Sequence, residues 1–174
     1  MKLLDFLKQT CRNPWYWSLL IAGSLLLLAT ALFYQYGFDE LPCLVCIQVR
    51  LLVSLLVIVS IVGLLSRHIK AMNLVLHLSV VLIWAAMAER SYLLLGTERG
   101  FIFADCGFDL GLPSWFAIEQ WLPWLYRVET TCGYTPEIIF GITMAEALIV
   151  LSGLLLIISL SVFIAYIISY KTKE

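Results

Sequence analysis

In 174 residues the chain is 62% hydrophobic and only 13% charged, with a mean hydropathy of +0.96 and a formal net charge of −1. Soluble domains carry about a quarter of charged residues, so this balance excludes a water-soluble globule and leaves no case for nucleic acid as a partner. For a chain in a lipid bilayer, where the charges fall carries the information and their sum does not.

Residues 1–13 are short and basic, with Lys2, Lys8 and Arg12 against Asp5, and lead into Pro14-Trp15-Tyr16-Trp17, an aromatic cluster of the lipid–water boundary type. The apolar run that follows predicts a first span over about 16–36. Ala29-Thr30-Ala31 resembles a signal-peptide cleavage site, yet the apolar run continues to Phe33 and further spans follow. The segment is therefore expected to be retained as a membrane helix. A short polar turn, 37–42, holds Asp39 and Glu40, and a second span is predicted over 44–65. The basic connection Ser66-Arg67-His68-Ile69-Lys70 leads to a third span, 72–95, carrying His77 in its first half and Glu89-Arg90 near its far end. His77 is read as a helix-packing residue. A fourth span is predicted over 141–168. The expectation is an all-α membrane protein: a single integral membrane domain, 1–174, built as a four-transmembrane-helix bundle with a long outer loop, 96–137, that contains a short interfacial helix.

In that arrangement Lys2, Lys8, Arg12, Arg67, Lys70, Lys171 and Lys173 share one side of the membrane. The other side holds Asp39, Glu40, Glu98, Asp105, Asp109, Glu119, Glu129 and Glu137, with Arg99 and Arg127 as its only bases. The positive-inside rule makes both termini cytoplasmic and the loop external. The loop is too long for a passive connection. Within 114–122, Trp115, Ile118 and Leu122 share a helical face that Trp121, Trp124 and Leu125 extend, so a helix lying flat on the membrane is expected, limited by Pro123.

The cysteines are Cys11, Cys43, Cys46, Cys106 and Cys132. Cys43 and Cys46 form a CxxC where the polar turn meets the second span. A helix starting there places Cys43 at its free N-terminus and Cys46 one turn in, where backbone N–H groups and the helix dipole favour thiolate over thiol. Arg50, four residues on, shares the face of Cys46. Either it snorkels to the interface or it donates to a carbonyl on a bound cofactor. Glu89, Arg90 and Glu146 are expected toward the same end, in a buried charge network with Arg50. Cys106 and Cys132 lie in one loop. A disulfide between them is plausible, either as a staple contributing roughly 3–4 kcal/mol or as a redox-active bond, and the loop alone leaves both readings open. A zinc site from the four outer cysteines is a rival, although it needs ligands from a loop and lacks a second CxxC. Ile47 after Cys46 rules out c-type haem attachment. Cys11, on the reducing side, is read as a bystander.

Four spans, a short first loop ending in Pro42-Cys43-x-x-Cys46, Arg50 four residues later and two cysteines in a long second loop together resemble the DsbB family of bacterial membrane thiol:quinone oxidoreductases. The resemblance covers nearly the whole chain, and Phe140-Gly141-Ile142-Thr143-Met144 is similar to the family's Phe/Leu-Gly-x-x-Met start of the fourth helix. It implies a multi-pass protein of the bacterial inner membrane that reoxidises a periplasmic, thioredoxin-fold dithiol carrier of the DsbA type. It implies ubiquinone or menaquinone from the membrane pool as the electron acceptor. It also implies that Cys106 forms the mixed disulfide with the carrier, that Cys132 is its intramolecular partner, that Cys43 takes the next exchange, and that Cys46, nearest Arg50, passes electrons to the quinone. Two departures bear on the quinone pocket. Ala145-Glu146-Ala147 stands where the family often has Pro-Gln-Trp, and Val49 where an acidic residue often precedes the arginine. Alternative readings are a paralogue with a specialised partner, an enzyme of the vitamin K epoxide reductase type, or a cysteine-based metal carrier or assembly protein.

Overall fold

The computed structural model describes residues 14–103, 107, 110–139 and 141–171. Four long helices organise it: α1 (Pro14–Gly37), α2 (Leu44–Ser66), α3 (Lys70–Glu98) and, after the connecting segment, α6 (Met144–Lys171). All four are long and apolar enough to cross a membrane. Their sequences are runs of Leu, Ile, Val and Ala with no proline beyond Pro14, which stands at the start of α1, where its missing N–H costs nothing.

The bundle turns many of its large apolar side chains outward. Leu26, Leu65, Leu82 and Ile157 are exposed, as suits helices whose solvent is hydrocarbon. Between the helices small polar residues sit beside the apolar core. Ser24 and Ser91 are buried, and each hydroxyl donates to the carbonyl one turn back, Leu20 O at 2.7 Å and Met87 O at 2.7 Å. Self-satisfied serines let backbones approach closely without leaving an orphan donor.

α1 packs on α2, α2 on α3, and α3 on α6. The main core joins Trp17 of α1 to Val49, Val53 and Leu56 of α2 and to Leu76, Val80, Ile83, Trp84 and Met87 of α3. Trp17 fits because position 63 is glycine: a Cβ there would lie 2.5 Å from the indole. His77 packs among the rings of Tyr16, Trp17 and Tyr166, and the Tyr166 hydroxyl donates to Lys70 O at 2.9 Å.

Two local expectations are corrected. The 114–122 stretch is not one helix. It breaks into a 3-10 turn (Ser114–Phe116), α4 (Ile118–Trp121) and α5 (Pro123–Tyr126), with ψ near 64° at Ala117 and 62° at Leu122. Pro123 sterically pushes Leu122 out of the helical region and opens α5 as its first residue. The fourth helix starts at Met144, later than 141, because β1 (Glu137–Ile139) and β2 (Ile142–Thr143) form a small antiparallel hairpin, turned at Gly141 with φ 78°. Thr143 and Glu146 then cap α6 reciprocally. The Glu146 N–H donates to the Thr143 hydroxyl (3.3 Å) and the Thr143 N–H to the Glu146 carboxylate (3.2 Å).

Candidate redox site

The site begins where α1 ends. Phe38 and Glu40 both donate their N–H to Tyr34 O, at 3.2 and 3.3 Å, and Asp39 takes a left-handed φ of 55°, one of the few side chains that tolerate it. The chain thereby reverses within a few residues and delivers Pro42 and Cys43 to the head of α2. Cys43 is the N-cap, in extended conformation, and its sulfur accepts the N–H of Cys46 at 3.3 Å. Cys43 and Cys46 are joined in a disulfide with their Cα atoms 5.1 Å apart. The sequence places these two cysteines at a helix start, and the structure does the same.

The connecting segment closes over one side of this disulfide. Glu129 and Thr130 donate their N–H groups to Pro42 O at 3.0 and 3.3 Å, and Thr130 pairs with Cys43 as a single parallel bridge. Below that contact Leu44 and Ile47 pack with Leu110, Tyr126 and Val128. Cys132 packs against this cluster and also against the one formed by Cys43, Val45, Leu94 and Ala145, which Cys46 adjoins as well. Cys132 is itself disulfide-bonded. The segment thus brings an oxidised cysteine to the same apolar cluster as the CxxC. Cys106 and Cys11 lie outside the described residues.

The other side of the disulfide faces a cavity of about 170 Å³ between α1, α2 and α6. Leu27, Leu28, Val53, Leu148 and Leu151 supply its apolar walls, while Gln35, Glu40, Cys46 and Arg50 line its polar part. The two sulfurs differ in surroundings: Cys43 is only 1% exposed and tucked under the segment, whereas Cys46 lines the cavity.

Arg50 does not snorkel. It is 6% exposed and donates from one terminal nitrogen to Gln35 Oε1 (2.5 Å) and Leu125 O (3.2 Å), and from the other to Ala31 O (3.2 Å). Its own carbonyl accepts the Ser54 hydroxyl at 2.8 Å, and Ser54 Oγ accepts the Tyr126 hydroxyl at 2.7 Å. The expected charge network is therefore corrected. Glu89 pairs with Arg90 at 3.2 Å on the surface, and Glu146 pairs with Arg99. Arg50 is held by neutral oxygens instead, which avoids desolvating a second charge in the interior. Gln35 is the partner that sequence reasoning missed. The available signal was an amide in the last turn of an otherwise apolar span. Three bonds from a five-donor guanidinium leave the Nε–H and one terminal N–H for a ligand.

Among the described residues no three His, Cys, Asp or Glu side chains are grouped as a metal ion requires. A sulfur pair with one side against the cluster that Cys132 joins and the other on an apolar cavity lined by a guanidinium is suited to thiol–disulfide exchange on one side and electron transfer on the other.

The family described as disulfide bond formation protein DsbB matches residues 13–162. The chain belongs to the DsbB family. It is 29% identical to disulfide bond formation protein B of Psychromonas ingrahamii over 99% of this chain and 92% of that one. It is 27% identical to the protein of the same name from Haemophilus influenzae, over 99% and 97% of the two chains. With disulfide bond formation protein B 2 of Pseudomonas aeruginosa it shares 29% identity over 76% and 80% of the two. Membership in the DsbB family, together with four apolar helices, makes this a multi-pass membrane oxidoreductase of disulfide bond formation.

Proposed function

We propose that the protein is a thiol:quinone oxidoreductase of the bacterial inner membrane, reoxidising a periplasmic thioredoxin-fold dithiol carrier of the DsbA type. The observation that carries this reading is the two-sided disulfide: Cys43 lies beneath the segment bearing Cys132, while Cys46 opens on a cavity that Arg50 also lines. Basic residues at 67 and 70, against acidic ones at 39, 40, 98, 119, 129 and 137, support cytoplasmic termini and a periplasmic redox face.

The electrons enter at the loop. A carrier thiolate attacks the Cys106–Cys132 disulfide and forms a mixed disulfide with Cys106, which frees Cys132. The second carrier thiol then resolves the mixed bond and leaves as half of the oxidised carrier, and the two loop thiols are left reduced. One of them, as its thiolate, attacks Cys43. The bond to Cys46 breaks, Cys46 leaves as a thiolate on the cavity that Arg50 also lines, and the other loop thiol releases Cys43 as the loop disulfide reforms. The quinone, ubiquinone or menaquinone, supplies an acceptor for two electrons and two protons. The residues present fit it. Apolar walls suit its ring and tail, Arg50 and Gln35 provide polar groups at the sulfur end, and Arg50 retains two free donors toward charge developing on a carbonyl oxygen.

The test is anaerobic quinone reduction by purified protein, with a reduced thioredoxin-fold protein as donor and absorbance of a short-tailed quinone as readout. Wild type turns over. Cys43→Ser and Cys46→Ser do not, and undiminished turnover by Cys46→Ser refutes the mechanism.

A further inference from the structure

A second, water-open hollow of about 680 Å³ adjoins the cavity and shares Tyr34, Glu40, Tyr134, Pro136 and Ile138 with it. Glu40 stands on the divide. It is the only carboxylate among the described residues lining the cavity, where Arg50 is the only base. Its position is set by the backbone, since the left-handed turn at Asp39 and the bond from its own N–H to Tyr34 O hold it half-buried against the end of α1.

Resting on the function proposed above, a proton needs a source. Two-electron reduction of a quinone to quinol takes up two protons. When Cys46 reacts as a thiolate, its proton has already gone, and Cys43 supplies only one. We propose that Glu40 is the general acid that delivers the other, taken in turn from water in the adjoining hollow. The step balances. Cys46 thiolate, Cys43 thiol, quinone and Glu40 carboxylic acid give the Cys43–Cys46 disulfide, quinol and Glu40 carboxylate. Two electrons leave the sulfur pair, two protons arrive on oxygen, and one negative charge stands on each side. A proton from the hollow then restores the acid. The titratable and charged groups around Glu40 are Tyr34 from α1, Cys46 and Arg50 from α2, Glu98 from α3, and Tyr134 and Glu137 from the connecting segment. α6 contributes no titratable side chain to the cavity.

The experiment is single-turnover oxidation of prereduced protein by a short-tailed ubiquinone and, separately, a short-tailed menaquinone, from pH 5.5 to 8.5. General acid catalysis contributes about 10²-fold or more, so Glu40→Gln is expected to slow the step by about that factor near pH 8. Added acetate or Glu40→Asp restores part of the rate. Glu119→Gln, remote from the cavity, behaves as wild type. Quinone affinity, read by tryptophan quenching on fully oxidised protein that cannot turn over, stays within about twofold in Glu40→Gln, which separates proton delivery from binding. A Glu40→Gln rate within twofold of wild type at every pH, or a loss explained wholly by affinity, overturns the proposal while inactive Cys46→Ser leaves the parent reading standing. Turnover by Cys46→Ser overturns both.

Discussion

Replacing Gln35 with leucine tests how Arg50 is held. The substitution keeps side-chain volume and removes one oxygen, the acceptor at 2.5 Å from the Arg50 guanidinium in a site where both residues are under 10% exposed. Hydrogen bonds to charged groups contribute about 1.5–3 kcal/mol net. The Leu125 and Ala31 carbonyls remain, so Arg50 is loosened without losing every acceptor, and a loss near 2 kcal/mol is expected. For a chain of this size each kcal/mol corresponds to about 2–4 °C, which gives a fall of roughly 4–8 °C in a thermal scan of detergent-solubilised protein. Function should follow the same route. A guanidinium that has lost one of its three anchors samples more orientations, so KM for quinone rises severalfold, while exchange between the carrier and the loop cysteines proceeds unchanged. Gln35→Glu, which keeps an acceptor, should recover most of the thermal loss. If Gln35→Leu melts within a degree of wild type and keeps its KM, the neutral clamp on Arg50 has no energetic role.

Arg50→Met should raise KM for quinone by tenfold or more with carrier–loop exchange intact, measured by trapping the mixed disulfide. Gly63→Ala should cost about 1–3 kcal/mol, because the new methyl lies 2.5 Å from the Trp17 ring, and intrinsic tryptophan fluorescence during thermal unfolding will report it. Tyr126→Phe removes the bond to Ser54, about 1 kcal/mol, and should speed amide exchange at 123–130 with little change in overall melting. Cys11→Ser should leave turnover unchanged in the quinone assay.

Helix number was readable because hydrocarbon imposes a length and a composition that no soluble contact can imitate. The CxxC at a helix mouth and Arg50 on the same face follow from short-range spacing alone. The rest depended on contacts across the chain. The flat helix over 114–122 failed because a shared apolar face says nothing about ψ at Ala117 and Leu122, and the proline was weighed as a limit rather than as a start. Thr143 and Glu146 form a capping box that was legible in the sequence, but the apolar residues upstream drew the helix start earlier. The charge network failed for another reason. Formal charges were matched with one another, whereas a buried guanidinium is served as well by an amide and two carbonyls, and no sequence pattern marks a carbonyl 75 residues away.

The strand-like contact at Pro42 has a mechanical consequence. Proline offers a carbonyl but no N–H, so the pairing with Glu129 and Thr130 runs through one acceptor and a single bridge and has no donor at that residue to extend it. Two such bonds resist separation by only about 2 kcal/mol. The main-chain latch over Cys43 is therefore weak by itself, and the fastening of the segment also draws on the packing of Leu44 and Ile47 against Tyr126 and Val128 and on the Tyr126–Ser54 bond.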